Sequence, residues 1–455
     1  MKKKILAMIF AVFMITAMFS GCTGEPEPLR IVVDLDYLGY EFITTVDSAA
    51  NGFAARFAEV SGIEDVVIEC VPGKNPERDA ALTRLRAEIM SGEGPDVFIM
   101  GCAGGYYSNT GDPFFAIPEK ALANGTFLPL DEYIENNAQF TDWDKLLPQV
   151  MEAGRDKYGQ QIVPLSYTIP VTVFKEADVP DKFTIDTTWQ NMLDDKTGIL
   201  SAASTWFHSD GTMLMDMEAP YLENTFGSLA DYNTDKLLFT EEELIQRLKE
   251  VLEQHKQYRE EKFPVAPVHY QTLMRVDYDQ SSENITFGPG MNPYNGIEKT
   301  DELTMVPIYS EQGGVTANVI TYAAVNVNTE RPEDSFAVID YLLSLEEMKS
   351  SQLYWYWLTG LGAVPVHTEA MNQSNPMVSR GWGRAIWFMR DSNFEEFARV
   401  REQITHTRFR GGLDIELKWL YFDCQGPYVY GMPSSSTLEE NVHEYYRRML
   451  RLLGE

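Results

Sequence analysis

The chain has 455 residues, 44% of them apolar and 12% aromatic, so it can bury real cores and disorder is not its default. That length exceeds what one hydrophobic core usually organises, which sets two domains as the expectation. A formal charge of −31 excludes a nucleic-acid partner, because no basic stripe is present to neutralise phosphates; it serves solubility first, and suits neutral or cationic ligands.

The first element is a targeting segment. Lys2, Lys3 and Lys4 precede an apolar run from Ile5 to Phe19, and Phe19-Ser20-Gly21-Cys22 follows as a lipobox. The run is about 15 residues, short of the roughly 20 that an α-helix needs to span a bilayer. Residues 1–21 therefore read as a lipoprotein signal peptide and Cys22 as the lipid-modified residue, with Phe19 departing from the usual aliphatic residue. An uncleaved anchor and a plain secreted protein are the other readings. Residues 22–28 (Cys-Thr-Gly-Glu-Pro-Glu-Pro) read as a tether. The expected location is the outer face of the cell membrane, lipid-anchored.

Beyond the tether, Leu29 to Leu35 suits a buried strand, and a helix is expected from about Ser48 to Ser61. Val66 to Val71 is a second strand. Arg78 to Met90 carries Ala81, Leu82, Leu85 and Ile89 on one helical face, and Val97 to Met100 is a third strand. This alternation predicts an α/β fold with a parallel sheet. Thr240 with Glu243 forms a capping box ahead of Leu244, Ile245, Leu248 and Val251. Ile285 to Phe287 reads as a short strand within a Gly/Asn/Ser-rich loop, and Pro332 opens another helix.

Cys70, Cys102 and Cys424 show no CxxC spacing, and the six histidines lack HxxxH or HxH spacing. Neither a metal site nor a cofactor is expected. One pairing among the three cysteines stays open.

Four stretches carry a resemblance. Gly92-Glu93-Gly94-Pro95-Asp96-Val97 is one, and Gly125-Thr126-Phe127-Leu128-Pro129-Leu130-Asp131 is the second. The third runs from Tyr158 to Phe174, with Gln160 or Gln161 where the pattern has lysine, followed by Thr188-Trp189. The fourth is Ala324 to Pro365, including Leu361-Gly362-Ala363-Val364-Pro365. In these motifs and their order the chain resembles the extracellular solute-binding proteins of ABC importers, in the branch related to maltose-binding protein. The tail from about Arg380 matches less clearly.

The resemblance implies a two-lobed periplasmic-binding-protein-like fold (type II) with a ligand cleft between lobes joined by hinge crossings. It implies an N-terminal lobe of 29–140 plus 312–358 and a C-terminal lobe of 141–311 plus 359–455. Crossings fall near Asn137 to Asp144, Pro307 to Gly314 and Thr359 to Gly362. It also implies a small-molecule ligand, a saccharide in most of the branch, captured by hinge closure and handed to an ABC permease by a monomer.

A saccharide site needs aromatic platforms and planar hydrogen-bonding groups, placed where open α/β sheets hold ligands, beyond the carboxyl ends of strands. The candidates are Asp36 and Tyr37 after the first strand and Tyr106, Tyr107 and Asp112 after the third. Tyr167 lies in the lobe-crossing segment, and Trp355 and Trp382 in the C-terminal third. Trp189 reads as packing. A surface-tethered glycoside hydrolase is the alternative from another class, but no carboxylate pair, G-x-S-x-G elbow, Walker A loop or HExxH helix is signalled. A binding protein for a non-sugar solute is the other alternative.

Overall fold

The computed structural model describes residues 27–35, 45–102, 113–169, 171–179, 183–203, 222–261, 269–271, 276–278, 285–287, 303–358, 363–371, 377–381, 384–387 and 391–454. The chain opens with β1 (Leu29–Asp34), whose Ile31, Val32 and Val33 are buried on both faces, as a strand inside a covered parallel sheet requires. Helix α1 (Val46–Ser61) starts where the Thr45 hydroxyl accepts from the Ser48 N–H at 3.2 Å. It buries Val46, Ala49, Ala50, Phe53 and Phe57 and stops at Gly62, whose φ of 76° is left-handed. Strand β2 (Val66–Cys70) and helix α2 (Glu77–Met90) follow. Gly92 and Gly94, at φ 84° and 110°, then turn the chain into β3 (Val97–Gly101), buried throughout.

The remaining elements that shape the site are α3 (Pro118–Ala123), β4 (Ile162–Thr168), β5 (Val171–Lys175) and α4 (Glu241–Glu260). After them come β6 (Leu303–Pro307), β7 (Val315–Val325), α5 (Pro332–Leu342) and β8 (Val364–Pro365). The chain closes with α6 (Asp391–Arg401), β9 (Ile404–Phe409), α7 (Gly412–Tyr430) and α8 (Leu438–Gly454). The expected capping box opens α4, with Thr240 and Glu243 each bonded to the other's backbone N–H. The short strand Ile285–Phe287 is present, and Pro332 sits in the first turn of α5.

The main sheet runs β8-β4-β7-β3-β1-β2, with β9 joined to β7. Strands β1, β2 and β3 are parallel, in a register that sets Val33 opposite both Cys70 and Ile99. The sheet is mixed rather than wholly parallel, because β7 enters antiparallel between β3 and β4. That strand arrives from far along the chain, so no local βαβ crossover dictates its direction.

Eleven residues long and buried throughout, β7 ties the molecule together. Its second half, Thr321 to Val325, bonds to β3, and Thr321 to Ala324 also to β4. Its first half, Val315 to Val319, runs parallel to β9. A second sheet is formed by His269–Gln271, β5 and β6, with α6 packed on β6, while α4, α7 and α8 pack on one another. The main sheet takes in β4 and β8, from stretches that the expected division gives to the second lobe.

Candidate functional site

With β1 parallel to β3, and both β3 and β4 antiparallel to β7, three strands bring their carboxyl ends to one edge of the sheet. Open α/β sheets bind ligands at such an edge. Asp34 ends β1 there with its side chain fully buried, and Arg78 of α2 meets it with two bonds, Nη1 to Oδ1 at 2.7 Å and Nη2 to Oδ2 at 2.9 Å. The Phe114 N–H donates to Asp34 Oδ2 at 3.1 Å, and Arg78 Nη1 also reaches the Pro72 carbonyl at 3.1 Å. The pair fixes where the chain leaves β1 and where the connection after β3 returns.

At the end of β4, Ser166 Oγ donates to the Leu358 carbonyl at 2.6 Å and lies 2.6 Å from Thr321 Oγ1. Thr321 Oγ1 reaches the same carbonyl at 3.1 Å. Both residues are fully buried. Leu358 closes a π-helical turn, Leu353–Leu358, just before the crossing expected at Thr359 to Gly362. The Tyr354 hydroxyl donates to the Leu165 carbonyl at 2.9 Å and holds that turn on β4.

A second polar group collects where β7 runs past the end of β3. The Cys102 N–H donates to the Ile320 carbonyl at 2.7 Å, and the Arg410 N–H to the Val319 carbonyl at 3.3 Å. Arg408 Nε bonds Asp414 Oδ1 at 2.8 Å, and its Nη1 bonds the Gly227 carbonyl at 2.9 Å. Glu119 Oε1 accepts from the Phe409 N–H at 3.0 Å, whereas Glu119 Oε2, Glu223 Oε2 and Asn318 Oδ1 are buried without a hydrogen bond. Loss of solvent pushes the Glu119 carboxyl up to about 8 and, against the nearby Arg410, the Glu223 carboxyl up to about 7. Burial raises the Cys102 thiol well above its ordinary value, helped by Glu119. Cys102 and Cys424 are buried free thiols. Among the described residues, no group of three or more His, Cys, Asp or Glu is placed to hold a metal ion.

Of the residues expected to touch ligand, Tyr167 lies on β4 with no exposed surface, opposite Val364 of β8. No hydrogen bond of ordinary length reaches its phenolic oxygen. Burial raises the phenol well above its ordinary value, and Arg401, at the end of α6, lowers it in part through its charge and a long side-chain hydrogen bond. Trp355 sits on the π-helical turn Leu353–Leu358. Asp36, Tyr37, Tyr106, Tyr107, Asp112, Trp382 and the lipidation candidate Cys22 lie outside the described residues. Asp36 and Tyr37 closely follow β1, and Tyr106 to Asp112 follow β3.

Trp189 is buried, as its packing role requires, and its Nε1–H donates to Glu250 Oε2 at 2.7 Å. Gln160, one of the two glutamines that could stand where the family pattern has lysine, spends its amide on the Met151 and Ile162 carbonyls at 2.9 and 2.6 Å. Reading the sequence did not single out Arg78, Thr321, Glu119 or Arg408. Arg78 carried a faint signal, as a cation beside the apolar stripe of α2; the others sit on segments where only the partner reveals the role.

No protein-family model matches the chain, and no curated protein matches it in sequence. Solved structures do match. An extracellular solute-binding protein family 1 member from Alicyclobacillus acidocaldarius subsp. acidocaldarius DSM 446 aligns at TM-score 0.51 and 15% identity, over 95% of this chain and 100% of that one. A periplasmic oligogalacturonide-binding protein from Yersinia enterocolitica aligns at TM-score 0.52 and 14% identity, over 94% and 99%. A de novo designed cysteine esterase aligns at 0.50 and 14%, over 95% and 99%. The fold is therefore that of the two-lobed extracellular and periplasmic solute-binding proteins, spanning nearly the whole chain. At these identities the likeness defines architecture, and the ligand must be argued from the site.

Proposed function

We propose that this protein is the substrate-binding subunit of an ABC importer that captures a saccharide by closing two lobes over it. The observation that carries the reading is the fold, shared over 94% of the chain with an oligogalacturonide-binding protein and over 95% with another solute-binding protein. The carboxyl edge of β1, β3 and β4 supports it. Five of the eight expected ligand residues lie in the stretches that follow two of these strands, and Tyr167 lies on the third.

In this reading, selectivity comes from the free energy of closure, which favours whichever ligand bridges the two lobes. No bond is made or broken. The lobes divide as 29–140 plus 312–358 and 141–311 plus 359–455, with crossings near Asn137 to Asp144, Pro307 to Gly314 and Thr359 to Gly362. Cys22 carries a lipid that tethers the protein to the outer face of the membrane, and a permease receives the closed form. Among the described residues, no helix is long and apolar enough to cross a membrane.

The test is thermal unfolding of the mature chain, with Cys22 replaced, against mono- and oligosaccharides and with amino acids and peptides as controls. A ligand at 100 times its dissociation constant adds about 2.7 kcal/mol, visible as a raised midpoint. A rise with saccharides and no turnover supports the reading. A rise with a control alone, or cleavage of the sugar, refutes it.

A further inference from the structure

We propose that Arg86 is a positioning residue of the ligand site, which sets the expected ligand residue Asp112 relative to Asp36 by clamping the chain where the connection after β3 returns. The inference rests on the saccharide-binding reading, with the carboxyl edge of β1 and β3 as its site. Three bonds carry it. From α2, Arg86 Nε donates to the Phe114 carbonyl at 3.2 Å. Its Nη2 donates to the same carbonyl at 2.8 Å and to the Pro113 carbonyl at 3.0 Å.

Phe114 is gripped from its other side as well. Its N–H donates to Asp34 Oδ2 at 3.1 Å, and Arg78, also on α2, holds that carboxylate with two bonds. The Phe114 ring lies 5.9 Å from the ring of Phe98 on β3 and 4.7 Å from that of Phe115. N–H, carbonyl and ring are all engaged, which fixes Pro113 and Phe114 against β1, β3 and α2. Covalent geometry carries that placement one residue further. Asp112 directly precedes Pro113, so their Cα atoms are no more than about 3.8 Å apart, and Asp36 stands two residues beyond Asp34. Two arginines of one helix thereby root both connections that carry the acidic ligand candidates.

Stability depends little on Arg86. It is exposed on α2, and bonds from an exposed side chain to neutral carbonyls have a small net worth because water competes for both partners. Water, however, does not tie those carbonyls to the helix. Arg84, two residues earlier, shows the other use of a surface arginine on α2, pairing with Glu69 and Glu88. The rigid fork of a guanidinium holds two successive carbonyls in one orientation, which a single ammonium does less well. A binding site works within about 0.5 Å of its productive geometry, and support of this kind keeps it there.

Titration calorimetry on the mature chain tests this with glucose, galactose, maltotriose, mannotriose and trigalacturonate, taking the tightest binder of the wild type as probe. Arg86→Gln should weaken that sugar by about fivefold or more while leaving the ligand-free unfolding midpoint within about 2 °C. Arg86→Lys should recover part of the loss. A double-mutant cycle with Asp112→Ala separates positioning from a general structural role. An arginine that acts by placing Asp112 loses its effect once that carboxylate is gone, so Arg86→Gln should cost less than about twofold in the Asp112→Ala background. An equal loss in both backgrounds, unchanged affinity in Arg86→Gln, or a loss that only follows a fallen midpoint overturns the inference and leaves the saccharide reading standing. Binding of none of the sugars overturns both.

Discussion

Asp34 and Arg78 lie 44 positions apart and form a fully buried, two-bond ion pair at the end of the first strand. Neither side chain retains any exposed surface. A buried pair of this kind contributes little net stability over a well-packed apolar pair, but breaking it strands an uncompensated charge. Arg78→Met should therefore destabilise the protein by about 3–5 kcal/mol. The double variant Asp34→Asn with Arg78→Met should recover a large part of that loss. Urea unfolding of the two variants checks it; equal losses would show that the charge of Asp34 is not the problem.

Glu119 predicts a pH dependence with an unusual sign. Its carboxyl is held at about 8 in the folded chain against an ordinary 4.5. The folded state therefore binds more protons than the unfolded state between these values, and stability falls as pH rises from about 4.5 through about 8. Glu119→Gln keeps the acceptor for the Phe409 N–H and removes the titration. It should flatten this part of the curve and exceed the wild type by roughly 1–3 kcal/mol at pH 8.5. Parallel wild-type and variant curves between pH 5 and 8.5 would refute the assignment. Glu223, held at about 7, should supply part of the remaining slope.

Glu396 works in the opposite direction. Burial raises its carboxyl, but bonds from Arg399, the Thr304 hydroxyl and the Met305 N–H outweigh burial and hold it at about 2. Its stabilisation is complete above about pH 5 and is lost as pH falls from there through about 2. Glu396→Gln should cost about 3 kcal/mol at pH 7 and very little at pH 2, by denaturant melts at both values. A cost that does not change with pH would mean that packing, not charge, sets the effect.

Ser166 and Thr321 share the Leu358 carbonyl, so either hydroxyl alone still satisfies it. Ser166→Ala and Thr321→Val should each cost about 1 kcal/mol, and the double variant more than their sum, because it leaves the carbonyl unpaired. A double-mutant cycle in urea measures the coupling; strict additivity would rule out a shared acceptor.

The early α/β pattern could be read because it is local. Ile31 to Val33, the apolar face of α2 and the Gly92–Gly94 turn are each dictated by neighbours a few residues away, and each element appears within a residue or two of its expected bounds. The capping box at Thr240 and the start at Pro332 are local in the same sense. The sheet's composition was not. Nothing near Val315–Val325 says that it will lie antiparallel between β3 and β4, since the choice is made by strands contributed from elsewhere.

The site divides the same way. Tyr167 was legible as an aromatic in a segment expected to cross between lobes, and the positions after β1 and β3 follow from strand ends alone. Arg78 and Thr321 were not, because a side chain's role depends on what faces it, and pairing in space leaves no periodicity to read. By itself the sequence determined the early strands and helices and the order of motifs. Only the tertiary structure decided which charges are matched, because burial makes an unpaired polar group costly and only folding defines what is buried.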